Sequence, residues 1–147
     1  MAVKSLIGRQ TSQGSVEVEK GRLRFFAKAI GETDPVYTDE SAARDAGHPG
    51  LPVPPTFLMC LNSEIGDLVE LLNVLQMDLG RILHAEQSFT YHRMAYAGDT
   101  LSFTTTVSDV YEKKGGALVF VVQQTRVTNQ KGEHVADLRS ALVERKG

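Results

Sequence analysis

From Gly80 onward the chain reads as strand, turn and strand again, and this pattern limits its possible folds more than any other feature. Arg81 to His92 forms the first long strand, with Ile82, Leu83, Phe89 and Tyr91 as its apolar members. Ala95-Tyr96-Ala97-Gly98-Asp99 is a turn. Thr100 to Glu112 is rich in Thr, Val and Phe, residue types that fit a pleated surface. Lys113-Lys114-Gly115-Gly116 is a hairpin turn leading into a strand from Ala117 to Thr128. Asn129-Gln130-Lys131-Gly132 turns the chain into the last strand, Glu133 to Arg145. Three or four long antiparallel strands are therefore expected. Val119-Phe120-Val121-Val122 is too apolar for an exposed face, and this strand and its neighbours carry more apolar surface than one side of a monomer can hide. Burial of such an edge calls for oligomerisation, most often a two-fold dimer.

The half before Gly80 carries the helices. Ser15 to Glu19 alternates briefly, like a short strand. Gly21 to Ile30 reads as helix, since Leu23, Phe26, Ala27 and Ile30 recur on one face, and Gly31 ends it. A short helix is expected over about 39–46, started by Asp39 or Thr38 and stopped by Gly47. After Leu51-Pro52-Val53-Pro54-Pro55-Thr56 an apolar helix starts at Phe57; residues 63–78 continue it at least in part, with Gly66 and Asn73 as candidate breaks. A helical half followed by an antiparallel half is an α+β arrangement, and 147 residues fit a single domain over 1–147.

Composition excludes several classes. Net charge is −2 with signs interspersed, so no basic face invites nucleic acid. The first residues lack the apolar core of a signal peptide, and no apolar run approaches the roughly 20 residues that span a bilayer. The single cysteine, Cys60, has no internal disulfide partner, and a reducing, cytoplasmic setting is expected. Phosphate-loop, dinucleotide and nucleophile-elbow patterns are absent, and no His, Cys and carboxylate set has the spacing of a metal site.

The stretch Ile30 to Phe57 is dense in prolines and turn formers, too irregular for core and too ordered in its punctuation for a linker. Within it, Gly31-Glu32-Thr33-Asp34-Pro35-Val36-Tyr37 resembles the hydratase signature of the MaoC-like hotdog family, in outline G-D-x-N-P-x-H. On that pattern Glu32 falls at the Asp position, Asp34 at the Asn and Tyr37 at the His, while Pro35 matches. Both catalytic positions are thus substituted. The resemblance extends over roughly residues 15–145, through the His84–Leu101 approach to the Gly98-Asp99 turn and the strands around Gly115-Gly116 and Asn129–Gly132. The spelling is similar to that of the catalytically degenerate, substrate-binding subunits of (3R)-hydroxyacyl thioester dehydratase heterodimers.

The resemblance implies a hotdog fold, an antiparallel sheet wrapped around a long central helix with the 31–55 loop over one end. It also implies acyl-CoA or acyl-ACP as substrate, no further cofactor, a place in fatty acid metabolism, and a homodimer or a heterodimer with a second MaoC-like subunit. Two alternatives stay open: a self-sufficient homodimeric enoyl-CoA hydratase, and a non-catalytic acyl-thioester binding module. The candidate site is Glu32 as a base, Tyr37 as a hydrogen-bond donor and Asp34 as an organiser of the loop backbone. His84 is the alternative source of an imidazole, on the same strand face as Glu86 and His92 by strict alternation. Pro55, Thr56 and Phe57, at a helix start with free N–H groups, are the candidate contacts for the thioester oxygen. His48 is read as a solvated turn residue.

Overall fold

A computed structural model describes residues 2–147. Five strands form one antiparallel sheet: β1 (Gln10–Glu17), β2 (Ile82–Tyr91), β3 (Thr100–Lys113), β4 (Leu118–Thr128) and β5 (His134–Arg145). Their order across the sheet is β1-β3-β4-β5-β2, so β2 is a free edge. β1 starts earlier than the short alternating run suggested, because Gln10 to Glu17 pair along β3 from Thr106 back to Thr100. Four helices accompany the sheet: α1 (Lys20–Ala29), α2 (Glu40–Asp45), α3 (Phe57–Asn62) and α4 (Leu68–Leu75). This is the α+β hotdog arrangement, with Leu58 and Leu61 of α3 packed against Phe103, Val127 and Leu138 of the sheet. None of the described helices is long and apolar enough to cross a membrane.

The central segment is two short helices rather than one long one. Gly66 takes a left-handed conformation (φ +87), and the Asp67 carboxylate then caps a new helix by accepting the Glu70 N–H at 3.0 Å. Asn73 lies inside α4 and breaks nothing. Ile65, just before the break, packs onto β1 at Gly14, where a Cβ would stand 2.9 Å from its Cγ2. The lack of a side chain at Gly14 lets the two backbones approach.

The break divides the interior in two. One cluster gathers Leu58 and Leu61 of α3 with Leu23, Leu51, Phe103, Val127 and Leu138. The other gathers Leu72 and Leu75 of α4 with Leu6, Val107, Val110 and Val121. A fully buried leucine contributes about 1.5–3 kcal/mol relative to an exposed one. Leu51, Pro52, Val53 and Pro54 are buried too, so the later part of the irregular loop does belong to the core. Its backbone is satisfied by a short ladder in which Val53 N–H donates to Ala95 O and Ala97 N–H donates to Leu51 O, both at 2.9 Å.

The apolar run on β4 is hidden within the chain. Val119, Val121 and Val122 are buried, and Phe120 stacks on Tyr111 with ring centroids 4.8 Å apart under the Lys113 ammonium. Exposed apolar side chains lie elsewhere: Phe25 on α1, Leu68 and Val69 on α4, Leu79 before β2, and Leu83, Tyr91 and Met94 along and just beyond the β2 edge.

Single-residue bulges interrupt the ladders at Thr11 on β1, Ala85 on β2, Ser108 on β3 and Val135 on β5, and those on β2 and β5 change which candidate side chains share a face. Ala85 is extra on β2, between His84 opposite Leu142 and Glu86 opposite Ala141. Val135 is extra on β5, between His134 opposite Thr128 and Ala136 opposite Val127. Each bulge reverses the inside–outside alternation of the residues beyond it.

Candidate functional site

The loop after α1 is organised by its own carboxylates. Gly31 is left-handed (φ +72) and closes the helix: its N–H donates to Lys28 O at 3.2 Å, and Glu32 N–H donates to Ala27 O at 2.9 Å. Glu32 Oε1 then accepts the Asp34 N–H at 2.9 Å. Asp34 Oδ1 accepts the Val36 N–H at 3.1 Å and caps the single helical turn Pro35–Tyr37. Asp39 Oδ1 accepts from Ser41 and Ala42 and starts α2. Arg24 Nε anchors the loop to α1 by donating to Thr38 O at 2.9 Å. Glu32 and Asp34 therefore act on backbone donors within their own turn, as the Asx-turn reading of Asp34 anticipates.

Tyr37 lines a small cavity of about 120 Å³ together with Val53, Pro55, Tyr91, Met94 and Ala95. Its phenol is pushed above the ordinary tyrosine range, first by burial and then by the carboxylates of Glu32 and Asp34. Tyr91 is pushed higher still, by burial first and by Tyr37 next, and its hydroxyl donates to Pro55 O at 2.6 Å. Two phenols that stay protonated at neutral pH thus stand at one cavity. They can donate or relay hydrogen bonds but cannot accept a proton as bases. Among the described residues no imidazole lines it.

The structure brings Tyr37 and Pro55 together, with Glu32 and Asp34 behind Tyr37. Thr56 is exposed beside Pro55, whereas Phe57 is buried against Phe26 at 4.8 Å and does not line the cavity. α3, with six residues, has fewer than two turns, a short element on which to base a helix-dipole contact. Tyr91, Val53, Met94 and Ala95 were not singled out from sequence. Only the fold shows that the end of β2 meets the Pro54-Pro55 turn.

His84 sits at the other end of β2 from Tyr91. Seven residues at about 3.3 Å each place it roughly 23 Å away along the strand, out of reach of the cavity. The Ala85 bulge also overturns its expected face: His84 points with Leu142, and Glu86 points to the opposite side. His48 is not a solvated turn residue. It is half-buried, with Nδ1 3.3 Å from the Tyr96 hydroxyl.

A larger cavity of about 300 Å³ lies where the central segment breaks, between Asn62, Gly66 and the strand residues Thr11, Thr105 and Gln123. Its lining is mixed: Ile65, Leu68 and Leu71 supply apolar surface, facing Thr11, Thr105 and Gln123, whose polar groups are engaged, with Gln123 Nε2 donating to Thr11 Oγ1 at 2.8 Å and Thr105 Oγ1 2.7 Å from Thr125 Oγ1. Asn62 Oδ1 is buried without a partner.

A third group escaped sequence reading because its members are distant or out of phase. His92, His134 and Asp137 converge outside the cavity, with candidate ligand atoms all within 4.8 Å of one another. The spacing gave no sign of this, since residues three apart on a regular strand point to opposite faces.

Residues 5–138 match a family model described as "FAS1-like, dehydratase domain region". The UPF0336 protein of Streptomyces coelicolor is 34% identical over 143 residues, covering 97% of this chain and 94% of the relative. Among solved structures, the C-terminally truncated HadBC (3R-hydroxyacyl-ACP dehydratase) complex from Mycobacterium tuberculosis superposes with a TM-score of 0.80 at 26% identity, covering 94% of this chain and 96% of that one. The MaoC-like dehydratase from Rhodospirillum rubrum shares the fold, with a TM-score of 0.70 at 23% identity over 96% of this chain and 94% of the other.

Proposed function

This chain belongs to the FAS1-like dehydratase-domain family, of MaoC-like hotdog type, and from that premise we propose that it is the acyl-thioester-binding subunit of a (3R)-3-hydroxyacyl-CoA or -ACP dehydratase. The observation that carries this reading is the chemistry at Tyr37. A dehydratase must move one proton at the α-carbon and another at the departing hydroxyl. Here the family's Asp and His positions hold Glu32, bonded into its own turn, and a phenol kept protonated. The cavity can grip a carbonyl or hydroxyl oxygen through Tyr37, but it has no imidazole to carry the proton.

In this proposal a second MaoC-like subunit with an intact Asp and His supplies the chemistry. Two features support a partner. The similar HadBC structure is a complex. In addition, the Tyr37 cavity is lined by Tyr91, at the last position of the free edge strand β2, where Tyr91 and Met94 expose apolar surface. A cavity of about 120 Å³ is small for a thioester, and a strand added at β2 would extend it.

The test is hydration of crotonyl-CoA by the purified chain, alone and mixed with a MaoC-like subunit that retains the Asp/His pair. The proposal expects negligible turnover alone and activity from the mixture above that of the partner alone. Several turnovers per second by the chain alone, abolished by Glu32→Gln, would instead establish a self-sufficient hydratase with Glu32 as base. Thioester binding without activity in any mixture would leave a binding module.

A further inference from the structure

None of the cluster's side chains, on the other face of the sheet, lines the Tyr37 cavity, and two features of the fold bring them together. Asp137 lies on β5, between Thr90 on β2 and Arg126 on β4. His134 is three residues away, and only the extra residue Val135 rotates it onto the same face. The bulge has a second effect. The Val135 carbonyl accepts both the His92 N–H at 2.8 Å and the Arg93 N–H at 3.1 Å, which pins the chain leaving β2 against the start of β5. His92 Nε2 then stands 2.8 Å from Asp137 Oδ2, and His134 Nε2 stands 2.8 Å from Asp137 Oδ1. The two rings are 4.2 Å apart, tilted by 33°.

We propose that His92, His134 and Asp137 form a binding site for a divalent first-row transition cation, zinc being the probe of choice, with water completing the coordination. Two imidazole nitrogens and one carboxylate are the donor set such ions prefer over calcium or magnesium. Both histidines present the same nitrogen, Nε2, toward one carboxylate. Nitrogen–zinc and oxygen–zinc distances of about 2.0–2.2 Å place neighbouring ligand atoms some 3–3.5 Å apart. The present separations, within 4.8 Å, need only small side-chain rotations. The side chains are 43%, 26% and 32% exposed, open enough for an ion and its waters to enter yet anchored at their bases by the β5 ladder and the Val135 carbonyl. Of the nearby cations, Arg93 is paired with Glu133 at 3.5 Å, and Arg126 is exposed and long enough to turn away. The bound ion would staple the exit of β2 to the entry of β5.

The experiment is calorimetric titration of the metal-free full-length protein with Zn²⁺, alongside His92→Ala, His134→Ala, Asp137→Asn and, as a control, His84→Ala. One saturable site is expected, weakened roughly tenfold or more in each of the three cluster variants and unchanged in the control. Absence of saturable binding, equal binding in the cluster variants, or equal loss in the control would each overturn the site. Should a cluster variant fail to fold, the wild-type protein still decides: Zn²⁺ must shift the imidazole NMR signals of His92 and His134 and leave that of His84 in place. Neither readout depends on catalysis, so the outcome is independent of the acyl-thioester reading.

Discussion

The Tyr91 hydroxyl donates to the carbonyl of Pro55 over 2.6 Å, joining the end of the edge strand to the turn that starts α3. Tyr91→Phe removes the donor and leaves Pro55 O to water or to nothing. A net cost of about 0.5–1.5 kcal/mol is expected, read as a lower urea midpoint with unchanged slope. An unchanged midpoint would mean that the turn is held by packing alone.

Leu58 is fully buried in the cluster around α3. Leu58→Ala should destabilise the protein by about 2–5 kcal/mol in chemical denaturation. A loss below 1 kcal/mol, on the order of a surface substitution, would contradict the packing of this helix against the sheet.

In the substrate-binding reading Tyr37→Phe and Glu32→Gln leave the hydration rate of the isolated chain at its low basal level. The double change Glu32→Asp with Tyr37→His should raise that rate, since a positioned acid–base group is typically worth about 100- to 10,000-fold. Robust wild-type activity that is lost in Glu32→Gln would reverse the assignment.

The edge of β2 gives a separate test of assembly. Leu83 is 59% exposed on that edge, and a lysine there would oppose strand pairing. Sedimentation velocity at micromolar concentration should show a dimer, of the chain with itself or with its partner subunit, and Leu83→Lys should shift the population toward monomer. A strict monomer that no MaoC-like subunit recruits would remove the basis for a shared tunnel.

Asp137 is held below its ordinary value of 3.8: burial opposes ionisation, but hydrogen bonds from His92 and His134 outweigh it. A depressed carboxylate stabilises the fold above its unfolded-state value and loses that contribution as pH falls through the lower folded value. Urea midpoints measured in the absence of added metal should therefore fall as pH drops below about 4, and Asp137→Asn should fall less steeply over the same interval. Equal slopes would show that Asp137 has no such role.

Much of this architecture is legible in the residues themselves. The turns at Gly115-Gly116 and Gly132, the helix stops at Gly31 and Gly47, and the cap at Asp39 all act locally, so their chemistry shows in a few adjacent letters. What could not be read depends on parity and on long-range meetings. A single unpaired residue, Ala85 or Val135, reverses every later assignment of face, and nothing in the letters around either one marks it. Hence strict alternation groups His84 with Glu86 and His92, which the Ala85 bulge separates, and it sets His134 and Asp137 on opposite faces, which the Val135 bulge brings together. The Tyr37–Tyr91 cavity needs two segments more than fifty residues apart, and Leu51 and Val53 become core only because residues 95–97 offer them a ladder. Among the substituted positions, Glu32, Asp34 and Tyr37 could be located by their resemblance to a motif, but the bonds of the two carboxylates within their own turn could not.

The interruption at Gly66 has a consequence for how the molecule comes apart. One interior is gathered around α3 and another around α4, with a cavity of about 300 Å³ at the break, while both rest on the same strands β3 and β4. Native-state hydrogen exchange can read the two helices separately. Leu75→Ala is expected to raise exchange in α4 more than in α3, and an equal rise in both would show that the shared strands couple the two ends into one unit.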